Sequence, residues 1–170
     1  MIRLLPLAIL AAAPFAAMAE SHMPAETASA DILGAEGDTI GEATLTQGPK
    51  GVLLHVRVEG LAPGKHGLHL HATAVCDPAE GFKTSGGHVG KIEGGHGLLN
   101  MDGPEDGDLP NLYVNADGTG EMEAYTTMVT VKGLMDEDGS ALVIHEGGDD
   151  GVTQPIGGAG ARVGCAAIGG

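Results

Sequence analysis

The chain has 170 residues, a formal net charge of −15 and 30 glycines, but only two tyrosines, two phenylalanines and no tryptophan. The negative charge excludes nucleic acids and anionic membranes as partners, because both would repel the protein. Glycine and proline together remain below the fraction typical of disordered chains. We therefore expect one globular domain with many turns and a core of aliphatic side chains.

The first 19 residues have the layout of a secretory signal peptide. One arginine precedes an apolar stretch, and Ala17-Met18-Ala19 forms an A-x-A cleavage site before Glu20. We expect residues 1–19 to be removed and the chain to be exported. The apolar stretch is too short to span a bilayer, and no later run is long enough, so no membrane attachment is expected.

A mobile N-terminus is expected at residues 20–30, followed by a single domain over residues 31–170. Apolar and polar residues alternate over residues 52–58, as in a strand with one buried face. Further strand-like runs lie at residues 111–115, 121–131, 141–145 and 161–168. No run has the sustained apolar period of a helix, so we predict an all-β fold, an antiparallel barrel or sandwich.

Two long segments, roughly residues 72–110 and 146–160, do not fit strands. Long loops inside a compact domain are usually functional or disordered, and we expect the chemistry in these two. The first contains Cys76, and the only other cysteine is Cys165. In an exported chain this pair favours one disulfide, Cys76–Cys165, over two free thiols.

Three of the eight histidines lie in the sequence HGLHLH at residues 66–71. On a strand, His69 and His71 would point to the same face, with Leu68 and Leu70 towards the core. Imidazole is the commonest protein ligand for copper and zinc, although an isolated H-x-H pair is also found in ordinary strands. Further donors are His88, His96, Asp108 and His145.

Five ordered motifs resemble those of the copper–zinc superoxide dismutases, in particular the bacterial exported forms. They are HGLHLHATAVCDP, FKTSGGHVG, HGLLNMDGPEDGDLPNL, LVIHEGGDD and GGAGARVGCAAIG. The resemblance implies an eight-stranded antiparallel Greek-key barrel with two long functional loops. It also implies a periplasmic enzyme that converts superoxide to dioxygen and hydrogen peroxide by cycling copper between Cu(II) and Cu(I), with zinc as a second cofactor.

The same resemblance implies the metal ligands. Copper would be bound by His69, His71, His88 and His145. Zinc would be bound by His88, His96 and Asp108, and His88 would bridge the two metals.

The resemblance also implies the residues around the metals. Asp149 would link a copper ligand to a zinc ligand, and His66 would support the copper site from behind. Arg162 would hold the substrate anion beside copper. The two cysteines would form the disulfide of the family.

One zinc ligand expected from the resemblance is missing. Counting nine residues on from His96, where a third zinc histidine is expected, gives Glu105, and the flanking sequence aligns without a gap. Three interpretations remain open. Glu105 binds zinc through a carboxylate oxygen, Asp106 or Asp102 does so instead, or zinc is bound weakly and the protein is a copper-only dismutase.

Two further departures concern the residues that follow His88 and the lysines of the second long loop. Val89-Gly90 stands where the family usually has an aromatic residue followed by Asn-Pro. The second long loop contains no lysine, although lysines in this loop help to guide the anion in eukaryotic members. Lys83 and Lys91 are the remaining candidates to guide superoxide, unless both are ordinary surface lysines.

A rival function is that of a dismutase-like protein that buffers copper without turnover. The four copper-ligand histidines and Arg162 favour the enzyme, because a buffer needs no arginine to bind an anion. The missing zinc histidine favours the buffer. Superoxide is the substrate that the resemblance implies, and both a monomer and a homodimer are compatible with it.

Overall fold

The computed structural model describes residues 25–170. The expected signal peptide at residues 1–19 and the first part of the expected mobile N-terminus lie outside the described residues. Among the residues described, no helix is long and apolar enough to cross a membrane.

The described chain forms nine strands, one short helix and two 3-10 turns. The strands are β1 (Thr27–Gly34), β2 (Thr39–Gln47), β3 (Val52–Val58), β4 (Gly64–His66), β5 (Leu68–His71), β6 (Leu112–Val114), β7 (Gly120–Thr126), β8 (Ser140–His145) and β9 (Arg162–Ile168). Helix α1 covers Val131–Leu134, and the 3-10 turns cover Pro78–Glu80 and Lys83–Ser85. Strand β1 pairs with β2 from Thr27 onwards, so the expected domain boundary at residue 31 falls inside a strand.

All nine strands belong to one antiparallel sheet in the order β4-β6-β7-β3-β2-β1-β9-β8-β5. The first and last strands of this order, β4 and β5, are neighbours in sequence, so the sheet curls into a nearly closed barrel. The connection from β3 to β4 passes over β7 and β6, as in a Greek key. The prediction of an all-β Greek-key barrel is therefore confirmed.

The structure has nine strands rather than the expected eight because Gly67 interrupts one of them. Residues 64–66 pair with β6, whereas residues 68–71 pair with β8. At the interruption, the Gly67 N–H donates to the carbonyl of Gly147 at 2.7 Å. A β-carbon at residue 67 would lie 2.9 Å from the Ala159 side chain. Glycine thus lets the second long loop contact the strand directly.

The core is aliphatic, as the composition predicts. In β3, the alternate residues Val52, Leu54, Val56 and Val58 are buried while the intervening side chains are not, which confirms the predicted strand with one buried face. The predicted strand at 121–131 is only partly correct, because β7 ends at Thr126 and α1 begins at Val131. The Thr130 hydroxyl accepts the Gly133 N–H at 3.0 Å, a side-chain cap that favours a helical turn over a strand.

A disulfide joins Cys76 to Cys165 across 89 residues, as predicted. It ties the first long loop to β9. A small second core surrounds it, made of Phe82, Ala141, Val143 and Cys165. The loop is therefore anchored to the barrel both covalently and by packing.

We expect the Cys76→Ser/Cys165→Ser variant of the metal-free protein to lose about 2–5 kcal/mol of unfolding free energy, because the unfolded chain regains the entropy of a long closed loop. Chemical denaturation measures this loss. A reductant should produce the same loss in the native protein and none in the variant. A change below about 1 kcal/mol would show that the unfolded chain is not constrained by this link.

Candidate metal centre

Two strands and the first long loop bring six potential ligands to one place. Strand β5 contributes His69 and His71, and the end of β8 contributes His145. The loop contributes His88, His96 and Asp108, and it reaches β5 through isolated bridges between His71 and His88 and between His69 and Asp108. All six side chains are buried, with at most 5% of each exposed.

Four neighbouring imidazoles, each with one unpaired ring nitrogen, form a group that we call the four-imidazole point. The ligand atoms of His69, His71 and His145 lie within 4.8 Å of one another, and the His88 ring centroid is 4.3 Å from that of His69. Among the described residues, His69 Nδ1, His71 Nε2, His88 Nε2 and His145 Nε2 have no hydrogen-bond partner. Buried polar atoms without partners are costly, and a cation would satisfy all four. An all-imidazole donor set fits copper or zinc.

The other ring nitrogen of three of these histidines is fixed by an acceptor. His71 Nδ1 donates to the Gly86 carbonyl at 2.9 Å, and His145 Nδ1 donates to the Gly160 carbonyl at 3.1 Å. His69 Nε2 lies 2.7 Å from Asp149 Oδ2. The proton therefore resides on the outer nitrogen, and the inner nitrogen keeps its lone pair for a metal.

Burial keeps these rings neutral. It lowers the pKa of His71 to about 2, with the positive charge of Arg162 adding to the effect, and it lowers the pKa of His145 to about 4. Burial also outweighs the Asp149 contact at His69 and lowers its pKa. Neutral imidazole is the form that binds metal, so the centre is ready for a cation at neutral pH.

A second cluster lies on the far side of His88 and contains two carboxylates. His88 Nδ1 is 2.7 Å from Glu105 Oε2 and 3.3 Å from Asp108 Oδ1, and His96 Nδ1 is 2.8 Å from the same Asp108 oxygen. Glu105 is only 3% exposed, and its second oxygen accepts the Ile92 N–H at 2.9 Å. His88 thus faces the four-imidazole point with Nε2 and the carboxylates with Nδ1.

The mutual distances group His69, rather than Glu105, with His88, His96 and Asp108 within 4.8 Å. We assign His69 to the four-imidazole point, because Asp149 occupies its Nε2, its Nδ1 is unpaired, and its ligand atom also lies within 4.8 Å of those of His71 and His145. Glu105 belongs to the second cluster, since its carboxylate contacts the ring nitrogen of His88 that points there.

Asp108 is held as a carboxylate. Burial alone would raise its pKa, but hydrogen bonds from His88 and from the backbone N–H groups of Gly97 and Glu105, together with nearby His96, hold the pKa at about 2. Its Oδ2 accepts the Gly97 N–H at 2.7 Å and the Glu105 N–H at 3.0 Å. Asp108 is therefore a fixed negative charge at neutral pH.

Of the two alternative carboxylates, Asp102 is exposed and Asp106 is half-buried. The Asp106 carboxyl occupies the space that a β-carbon at residue 90 would need, and Gly90 has a positive φ of 64°. The Val89-Gly90 departure thus makes room for Asp106, while Glu105 alone of the three contacts His88.

Asp149 and His66 support the centre. Asp149 Oδ2 lies 2.7 Å from His69 Nε2 and 3.2 Å from His96 Nε2, so one oxygen links the two clusters. Burial alone would raise the pKa of Asp149, but the His69 hydrogen bond and other donors outweigh it and lower the pKa. His66 contacts the backbone carbonyl of His145 at 2.6 Å through Nδ1.

A cavity of about 300 Å³ opens onto the four-imidazole point, and its lining includes His71, His88, Lys91, Glu105 and Arg162. Arg162 therefore lies in the wall of the cavity that opens beside His71 and His88. Lys91 lines the same cavity, whereas Lys83 does not contribute to its wall.

Sequence reasoning missed several residues that organise the site. The Gln154 side chain forms two hydrogen bonds with the backbone of His96. It accepts one from the N–H at 3.2 Å and donates one to the carbonyl at 2.8 Å. Ser85 and the carbonyls of Phe82 and Gly86 accept hydrogen bonds from Arg162. No local pattern marks Gln154 or Ser85, because their partners lie 58 and 77 residues away.

The copper/zinc superoxide dismutase (SODC) family model matches residues 39–168. The copper–zinc superoxide dismutase of Caulobacter vibrioides is 44% identical over 149 residues, covering 84% of this chain and 85% of that protein. One copper–zinc superoxide dismutase of Aquifex aeolicus is 38% identical over 147 residues, covering 83% and 85%.

Solved structures agree with these matches. A SOD-like protein from Bacillus subtilis superposes with a TM-score of 0.77 at 33% identity, over 82% of this chain and 97% of that chain. The Cu/Zn superoxide dismutase from Brucella abortus superposes with a TM-score of 0.69 at 27% identity, over 84% and 99%.

We expect the metal-free protein to lose stability as the pH falls from about 6.5 towards 4, because the unfolded chain takes up protons on His69, His71 and His145 that the folded chain excludes. Since the folded pKa values lie below the unfolded value, the stabilisation is complete above pH 6.5 and declines by roughly 1.4 kcal/mol per pH unit for each histidine. Denaturant titrations at several pH values measure the slope. The His71→Asn variant should lower the slope by about one proton, and equal stability at pH 7 and 5 would contradict the expectation.

Proposed function

The chain belongs to the copper/zinc superoxide dismutase family, and we propose that it disproportionates superoxide in the cavity between His71, His88 and Arg162. As a member of this family it is an oxidoreductase with copper and zinc as cofactors. The observation that supports the proposed site is the set of four buried, unpaired nitrogens on neighbouring imidazole rings, beside a cavity whose wall includes Arg162.

In this proposal, copper is held by His69, His71, His88 and His145. When bound, it supplies one-electron chemistry between Cu(II) and Cu(I), which zinc cannot provide. The chain itself keeps the rings of His69, His71 and His145 neutral and fixes their outer nitrogens. The rings therefore need no reorientation when the metal binds, because the hydrogen-bond acceptors of their outer nitrogens already hold them in place.

The cavity residues bind and orient the anion. Arg162 presents a fixed guanidinium to the cavity, where a small anion gains both charge and directed hydrogen bonds. When His88 is not bound to copper, its Nε2 can hold one of the two protons that hydrogen peroxide requires, because Nδ1 contacts the carboxylates and the ring lines the cavity. The arginine also favours turnover over copper buffering, since storage of a cation does not need an anion site.

For zinc, we propose a site formed by His88, His96, Asp108 and Glu105. The support is the contact of Glu105 with His88 Nδ1 in a buried pocket that also holds the ionised Asp108. Carboxylate oxygen is an established zinc ligand type. Glu105 would thus replace the missing histidine, and the protein would differ from a copper-only dismutase.

We also propose that the chain acts in the periplasm after removal of residues 1–19. The support is the layout of the first residues and the disulfide, which forms and persists in oxidising compartments. Mass spectrometry of the protein recovered from the periplasm should find Glu20 as its first residue.

The Glu105→Gln variant tests the zinc site. We expect the native protein to retain one copper and one zinc per chain after dialysis. The variant should retain copper but bind zinc at least about 10-fold more weakly, because the amide is uncharged and loss of even an outer partner of a ligand weakens affinity by about that factor. Mass spectrometry of the metals gives both ratios. Asp106→Asn is the matched control and should behave as the native protein.

Loss of zinc in Asp106→Asn but not in Glu105→Gln would assign the ligand to Asp106. Copper without zinc in the native protein would identify a copper-only dismutase.

The Lys91→Gln variant tests the guidance of superoxide. Because Lys91 lines the cavity of a strongly negative protein, we expect the second-order rate at low salt to fall by about twofold to threefold and the difference to vanish at high salt. Pulse radiolysis across a range of salt concentrations measures both. Lys83→Gln, which removes the same charge outside the cavity, should have the smaller effect, and equal rates and salt slopes in all three proteins would exclude guidance by Lys91.

A further inference from the structure

We propose that the buried hydroxyl of Ser85 positions the Arg162 guanidinium for anion binding. The proposal rests on the function proposed above, because it assigns a residue that acts through Arg162. Ser85 is a positioning residue and does not touch the anion itself.

Arg162 is held by three acceptors in the turn before His88. Its Nη1 donates to the Phe82 carbonyl at 2.8 Å and to Ser85 Oγ at 3.0 Å, and its Nη2 donates to the Gly86 carbonyl at 2.8 Å. A guanidinium has five N–H groups. Two therefore remain for an anion in the cavity.

The Ser85 hydroxyl can act towards Arg162 only as a hydrogen-bond acceptor. It donates its own proton to the Phe82 carbonyl at 2.9 Å, so only its lone pairs face Arg162. The residue is fully buried, and water cannot replace this acceptor without a rearrangement of the turn. Both N–H groups of Nη1 are thus committed to the protein.

The Phe82 carbonyl is aimed at the arginine by an unusual backbone. Phe82 is the single non-glycine residue with a positive φ, 57°, among residues 25–170, and such a conformation is costly and persists only where the surroundings impose it. Its ring is fully buried in the small core beside the disulfide. The packing of this ring therefore stabilises a turn whose polar atoms hold Arg162.

The arrangement separates two tasks of the guanidinium. One side is held by the turn, and the other is available to the anion. Loss of the Ser85 acceptor would free one Nη1 N–H in a half-buried site and allow the Cζ–Nη1 bond to rotate. The bound anion would then have to immobilise the guanidinium, and this loss of conformational freedom would weaken its affinity.

Nitrogen-15 NMR of the reduced, metal-loaded protein tests directly whether rotation of the Arg162 guanidinium is restricted. Beyond residue 3, the chain has only two arginines, Arg57 and Arg162, and the exposed Arg57 serves as the internal reference. We expect Cζ–Nη1 rotation at Arg162 to be at least about tenfold slower than at Arg57, and to accelerate by about tenfold in Ser85→Ala. Rotation equally fast at both arginines in the native protein would overturn the proposal without any variant.

Azide titration of the Cu(II) protein, followed by visible absorption, tests the consequence. Ser85→Ala should weaken azide about threefold to tenfold and lower the rate with superoxide to a similar extent, with native copper and zinc content. The matched control is Thr84→Ala, which removes a hydroxyl of the same turn that bonds the Val75 carbonyl at 3.1 Å. It should leave both quantities unchanged.

The Arg162→Ala background separates this proposal from the proposed function. Ser85→Ala should have no further effect on azide affinity there, because the hydroxyl acts through the arginine. An equal loss in both backgrounds, or native affinity in Ser85→Ala, would overturn the role of Ser85. Native affinity in Arg162→Ala would instead contradict the anion-binding role of Arg162, while the rotation rates would still show whether Ser85 holds it.

Discussion

The structure depends on one constraint, which is that several buried imidazoles must stay neutral and point an unpaired nitrogen at a common centre. Burial satisfies the first requirement, as the low pKa values of His71 and His145 show. Fixed acceptors on the outer nitrogens satisfy the second requirement. Burial of the unpaired inner nitrogens is unfavourable without a cation, because these atoms are deprived of water. Metal binding therefore offsets the free energy that folding lost when it removed these nitrogens from water.

The barrel and the loops meet this constraint together. Strand β5 can hold two ligands on one side because alternate residues of a strand share a face. The end of β8 supplies His145, and the first long loop supplies the remaining ligands. The two long loops are held by contacts with each other as well as with the barrel. Asp149 contacts a histidine of the strand and a histidine of the first loop, and Gln154 holds the backbone of His96. Displacing the second loop would therefore disturb both metal clusters.

Much of this organisation could be predicted from the sequence, and the exceptions have a common physical cause. The alternation in β3 and the spacing of His69 and His71 are local patterns, so they were readable without the fold. The interruption of the barrel at Gly67 follows from the approach of a loop that lies about 80 residues further along the chain. The role of Ser85 depends on a partner 77 residues away. Contacts of this kind leave no periodic pattern, and glycine or serine at such positions resembles any other turn residue.

The departures from the family pattern around His88 are physically connected. Gly90 gives space to the Asp106 carboxyl, and the same turn delivers Glu105 to the buried nitrogen of His88. Glu105 places a further acidic group at the wall of the cavity that contains Arg162, in a chain whose net charge is already −15. Because salt screens charges beyond roughly 8 Å at physiological strength, the nearby positive charges govern capture. A firmly held Arg162 therefore contributes more to anion capture in this protein than it would in one whose second cluster is less negative.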